Sequence, residues 1–114
     1  MAVLAIDSST RFQSVAVAGA GGVLAEECRE TGSRHSETLL PVVGGLLGKA
    51  GLSPSDVEAV AVTSGPGSFT GLRVGLSTAK GLALAGGIPL AGFSTLRVLA
   101  EALAQEAGPA PGTL

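Results

Sequence analysis

Tryptophan and tyrosine are absent, and three phenylalanines are the only aromatic residues in a chain of 114. Proteins that grip single-stranded nucleic acid stack its bases on aromatic rings, so a platform of that kind is excluded. Positive charge is scarce too: seven Lys and Arg stand against nine Asp and Glu, for a net charge of −2, with no basic run. That argues against nucleic-acid binding by this chain alone. One cysteine, Cys28, excludes an internal disulfide and suits a reducing compartment, so a cytoplasmic location is expected. One histidine, His35, does not by itself make a metal site. No basic segment precedes an apolar one at the start, and Asp7 interrupts the first apolar run, so no signal peptide is expected. The longest uncharged run in the middle, Gly81 to Leu96, contains Gly and Pro and is too short to cross a bilayer as a helix.

What remains is apolar and small. Apolar residues make up 46% and charged residues 14%, a balance that folds rather than stays disordered. So little charge leaves much of the surface uncharged, which predicts a covered interface. The length suits one domain, or one lobe of something larger.

Apolar and turn residues divide the chain into eight elements. Val3–Ile6 reads as a strand ending in the polar turn "DSST", and Ser14–Gly19 resumes the strand pattern. Gly21-Gly22 reads as a hairpin turn, and Val23–Glu30 as a third strand. Three strands joined by short turns predict antiparallel pairing. Leu39, Leu40, Val43, Leu46, Leu47 and Ala50 recur at helical spacing, with Pro41 expected in the first turn or at a kink and Gly51 as the stop. "SPSDVE" is a turn, and Ala59–Ser64 is a continuous apolar strand of the kind covered on both faces. A second helix is predicted over Thr70–Ala85, a fifth strand at "IPLAGFS", and a third helix over Thr95–Ala107. The order β-β-β-α-β-α-β-α predicts an α/β fold: a mixed five-stranded sheet with helices packed on it. Residues 1–107 form the expected lobe and residues 108–114 an exposed tail.

Two turns carry candidate chemistry. "TSGPGSFTGLRVG", Thr63–Gly75, lies between a strand and a helix, where a phosphate-cradling loop would sit. Its spacing fits neither established pattern. Gly71-Leu72-Arg73 stands where a Walker loop has Gly-Lys-Ser/Thr, and Gly65, Gly67 and Gly71 are one residue too widely spaced for a dinucleotide fingerprint. The other turn, Asp7-Ser8-Ser9-Thr10, offers three hydroxyls for a phosphate and a carboxylate for a hydrated metal. It equally reads as a capped hairpin, because Asp and Ser stabilise turns unaided.

Four strings, "AIDSSTRFQSVAV", "RHSETLLP", "VTSGPGSFTGLRVGLSTAKGLA" and "IPLAGFSTL", resemble the N-terminal half of the TsaB (YeaZ) family. The resemblance spans essentially the whole chain and rests most specifically on "SGPGSFTGLRVG". It implies an actin-like, ribonuclease H-like lobe and a role in making N6-threonylcarbamoyladenosine in tRNA. It also implies a noncatalytic subunit that dimerises, with itself or with a TsaD-type catalytic partner, while a TsaE-type ATPase acts indirectly and tRNA is met only within the complex. TsaD-type proteins carry two metal-binding histidines just after the fifth strand. Thr95 and Leu99 stand at the matching positions here, so no metal ligand and no catalytic residue is expected, with ATP and metal assigned to the partners. Nucleotide-binding relatives have glycine where Ser9 stands, so Asp7, Ser9, Thr10, Gly65 and Gly67 read as degenerate phosphate loops. The competing reading is an ATP-binding enzyme or ATPase lobe built on those same residues.

Small residues recur every four positions on both predicted helices: Gly44 and Gly48 on the first, and Gly71, Gly75, Ala79 and Ala83 on the second. Each glycine inside a helix costs roughly 1 kcal/mol relative to alanine, so a stripe of them asks for a reason. Packing on the lobe's own sheet is one reason. A subunit boundary is the other, and it is the one the resemblance favours. The expected partner interface is Leu39, Val43, Gly44, Leu47 and Gly48 with Gly71, Gly75, Leu76, Ala79 and Leu82.

Overall fold

The computed structural model describes residues 2–10, 12–30, 35–67 and 69–94. The elements are β1 (Ala2–Asp7), β2 (Phe12–Gly19), β3 (Gly22–Glu30), α1 (His35–Lys49), a short 3-10 turn (Pro54–Asp56), β4 (Val57–Gly65), α2 (Phe69–Gly86) and β5 (Leu90–Ser94). The predicted third helix, Thr95–Ala107, and the tail lie outside the described residues.

The five strands form one sheet in the order β3-β2-β1-β4-β5. β1 pairs antiparallel with β2, β2 antiparallel with β3, and β4 runs parallel to both β1 and β5. The mixed sheet expected from the element order is therefore present. The hairpin differs by one position: Gly19 pairs with Gly22, so Ala20-Gly21 make the turn and Gly22 carries the positive φ of 123°. Gly51, at φ 72°, stops α1 as expected, because only glycine adopts that backbone without strain. Pro41 lies inside α1 as its seventh residue, because the helix begins at His35 and not near Leu39.

Side chains alternate across each strand, and one face takes the branched apolar ones. Leu4 and Ile6, Val15 and Val17, and Val60 and Val62 are buried together with Leu39, Val42, Val43, Leu46 and Leu47 of α1 and Ala79 and Ala83 of α2. The opposite face is paved with small residues. Ala16, Ala5, Ala61 and Ala91 are register partners across four strands. Leu46 is 2% exposed at the centre of the core, so Leu46→Ala is expected to remove about 2–5 kcal/mol of stability, measured by urea denaturation.

One exposed feature sets a pH dependence. The Asp56 carboxylate accepts hydrogen bonds from Ser53 N at 2.8 Å and Ser53 Oγ at 3.1 Å, and these bonds hold its pKa below the ordinary carboxylate value. A depressed pKa means the contribution is present above the ordinary value and is lost as pH falls through the folded one. The Asp56 carboxyl resonance should therefore titrate at lower pH than in an unfolded peptide, and Ser53→Ala, which keeps the stronger backbone bond, should move it only part of the way back up.

Candidate functional site

The two candidate turns meet at one end of the sheet. Asp7 closes β1, and its Oδ1 accepts three hydrogen bonds: from Ser9 N at 3.0 Å, Ser9 Oγ at 2.6 Å and Thr63 Oγ1 at 2.9 Å. The last bond ties the end of β1 to the end of β4, 56 residues away. Ser8 and Ser9 are both 1% exposed. Ser8 Oγ donates to the carbonyl of Gly71, in the first turns of α2, at 2.7 Å. Thr10 Oγ1 accepts from Phe12 N at 3.1 Å, which closes the turn into β2.

The glycine loop lies directly against this turn. A Cβ on Gly67 would overlap the carbonyl oxygen of Ser9, and one on Gly75 would overlap the Ser8 hydroxyl. Gly65 has φ 125°, with Leu72 Cδ1 3.4 Å from where its Cβ would be. The Asp7, Ser9 and Gly67 positions expected of a phosphate site are thus brought together, but the Ser8, Ser9 and Thr63 hydroxyls donate to protein oxygens. The residues present do not fit a phosphate cradle. Thr63 was not singled out in the sequence. Its signal is a hydroxyl directly after the apolar run Ala59–Val62, near the strand's end beside an acid on its neighbour.

The expected interface residues divide between inside and outside. Leu39, Val43, Leu47 and Ala79 are 5% exposed or less and belong to the core. Gly71 and Gly75 are buried against the β1 turn. The small-residue stripe of α2 therefore faces its own sheet, which corrects its placement at a subunit boundary: without side chains, the helix approaches β1 and β4 closely. Leu76 and Leu82 are half-buried and pack against the core. Gly44 and Gly48 face outward, with nothing within 4 Å of an added Cβ. They share the exposed side of α1 with Leu40, 58% exposed; on α2, Leu84 is 85% exposed. Between the helices runs an apolar groove of about 530 Å³, lined by Leu40, Gly44, Leu82, Ala85, Gly86 and Ile88 among others.

A second concavity, of about 420 Å³, lies on the alanine-paved face, with Asp7, Ser14, Thr63 and Phe93 at its polar end. Among the described residues no group of three or more His, Cys, Asp or Glu converges to hold a metal, and no helix is long and apolar enough to cross a membrane.

Comparison with known proteins gives this site a lineage. The family described as TsaD, tRNA N6-adenosine threonylcarbamoyltransferase, matches residues 6–114. The Escherichia coli protein named tRNA threonylcarbamoyladenosine biosynthesis protein TsaB is 43% identical over 89% of this chain and 43% of its own length. Its Bacillus subtilis counterpart is 37% identical over 88% of this chain and 44% of its own length. A solved YeaZ from Pseudomonas aeruginosa superposes with a TM-score of 0.86 at 38% identity, over 92% of this chain and 48% of that one. The RuvC structure of Thermus thermophilus, at 20% identity and a TM-score of 0.62, shares the fold alone, over 97% of this chain and 74% of that one. The fold is thus an actin-like, ribonuclease H-like lobe of the TsaD class. Within that class the chain belongs to the TsaB/YeaZ family, and it spans about half the length of the TsaB relatives it matches.

Proposed function

We propose that this chain is a noncatalytic subunit of the machinery that forms N6-threonylcarbamoyladenosine in tRNA, and that it works by docking onto a TsaD-type transferase. The observation that carries the reading is the apolar surface of α1 and α2 that the described residues leave open, with Leu40 exposed in the lining of a groove between the helices and Leu84 exposed elsewhere on α2. Exposed leucines on both helices and an apolar groove between them, with glycines that let a backbone approach, favour a protein partner over a small solute. The names of the TsaB relatives supply the pathway. Nucleotide and metal chemistry then belong to the partner subunits, because here the hydroxyls of the β1 turn are spent on Asp7 and Gly71. The chain meets tRNA only through the complex, in the cytoplasm.

The test is molar mass by light scattering, for the chain alone and mixed with a TsaD-type protein. A homodimer that gives way to a 1:1 heterodimer is the expected result. A chain that neither self-associates nor shifts the partner's mass would sink the proposal. Calorimetric titration with Mg-ATP gives the accompanying expectation: no binding heat in the micromolar range. Heat that disappears in Asp7→Ala would instead favour the ATPase-lobe reading.

A further inference from the structure

Ser8 sits in a notch on α2. It is 1% exposed, its hydroxyl donates to the Gly71 carbonyl, and the hydroxyl occupies the space that a Cβ on Gly75 would need. Gly71 and Gly75 are one helical turn apart, so the serine is held between two successive turns of one helix face. The same β1 turn is fixed from below by Asp7, Ser9 and Thr63, and from the side by the backbone at Gly67. At that end Gly71 and Gly75 lie on the inner face of α2, so the Ser8 hydroxyl is a contact that opposes sliding of the helix on the sheet.

We propose that Ser8 is the positioning residue for α2: a serine knob in a glycine hole that fixes the register of the helix on the sheet, and with it the outward surface offered to a partner. The part that concerns the partner rests on the function proposed above. The packing part does not.

The geometry makes an unusual demand on a pair of variants. An added Cβ at Gly75 overlaps the Ser8 hydroxyl, but lies 3.5 Å from Ser8 Cβ and 3.8 Å from Ile6 Cγ2, which are ordinary contacts. Removing the hydroxyl therefore makes room for the methyl. Gly75→Ala alone should lower the melting temperature by roughly 10 °C, the size expected for overpacking in a small domain. Ser8→Ala alone should lower it by about 5 °C through the lost hydrogen bond. Ser8→Ala with Gly75→Ala should melt above Gly75→Ala alone, so that the second substitution reverses the sign of its effect.

The experiment is a four-member cycle on the full chain: wild type, each single variant and the double variant. It is read by thermal melting and by affinity for a TsaD-type protein. Val3→Ala, half-buried on the opposite sheet face, serves as a control that loses stability without touching α2. We expect Ser8→Ala to bind the partner about tenfold more weakly, Val3→Ala to stay within about threefold of wild type, and the double variant to recover most of the loss. Additive melting shifts would overturn the knob-and-hole pairing, and wild-type affinity in Ser8→Ala would overturn the positioning role. Should Gly75→Ala fail to fold, a folded double variant establishes the compensation by itself. Absence of binding by the wild type would refute the proposed function, and with it the partner half of this inference, while the melting cycle still decides the packing half.

Discussion

Leu84→Asp is expected to weaken association with a TsaD-type protein by about 30-fold or more while leaving the melting temperature within a few degrees of wild type. The two halves of that expectation have one cause. Leu84 is 85% exposed on the outer side of α2, so its side chain adds almost nothing to the fold, and a carboxylate there meets water in the free chain. In a docked state the same carboxylate would be stripped of water with no partner charge to pair it, a penalty of several kcal/mol. Leu40→Asp, in the lining of the groove between α1 and α2, should act in the same direction. The contrast is Ser53→Asp, on an exposed turn near the groove but outside its lining, which should leave binding unchanged. Surface plasmon resonance with the partner immobilised, together with thermal melting of each variant, measures both quantities. Full-strength binding by Leu84→Asp would mean that the partner seats elsewhere.

Asp7→Ala is expected to cost roughly 3 kcal/mol of stability and to leave nucleotide affinity where it began. One oxygen of Asp7 accepts the Ser9 amide, the Ser9 hydroxyl and the Thr63 hydroxyl, and Ser9 and Thr63 are buried. Removing a shared acceptor leaves donors that water cannot easily reach, and hydrogen bonds to an ionised group are the stronger kind. Asp7→Asn keeps an acceptor oxygen and should cost less than half as much. A phosphate or metal role predicts the reverse pattern: near-normal stability and lost binding. Denaturant midpoints of the three proteins, with titration of Mg-ATP, separate the two.

The strands were legible because their alternation and their turns agreed, and the helices because the apolar spacing in Leu39–Ala50 and Gly71–Ala83 is helical. Three things were not. Pro41 marks the first turn of a helix only when the apolar stripe begins there, and α1 starts four residues before Leu39. More instructive is the stripe at Gly71, Gly75, Ala79 and Ala83. Periodicity says that these four share a side of the helix. It cannot say whether that side meets a sheet or a stranger, because close approach asks for small residues in both cases. The answer lies 63 residues earlier, in a serine that donates to Gly71, and no local pattern connects the two. The turn after β1 was equally open. Serines in a turn read as either phosphate donors or plugs, and only the distances, from Ser9 to Asp7 and from Ser8 to Gly71, show their hydroxyls bonded within the protein.

The outer strands of the sheet bear on how copies of this chain meet. β3 is one edge, and Glu26, Glu27, Arg29 and Glu30 put four of the chain's sixteen charged side chains on that single nine-residue strand. Exposed backbone at an edge invites another strand to add, and a dense row of charge is a common way to forbid it. The other edge, β5, is uncharged but only five residues long, with a glycine at its centre. Edge-to-edge growth into fibrils is thereby discouraged at both ends.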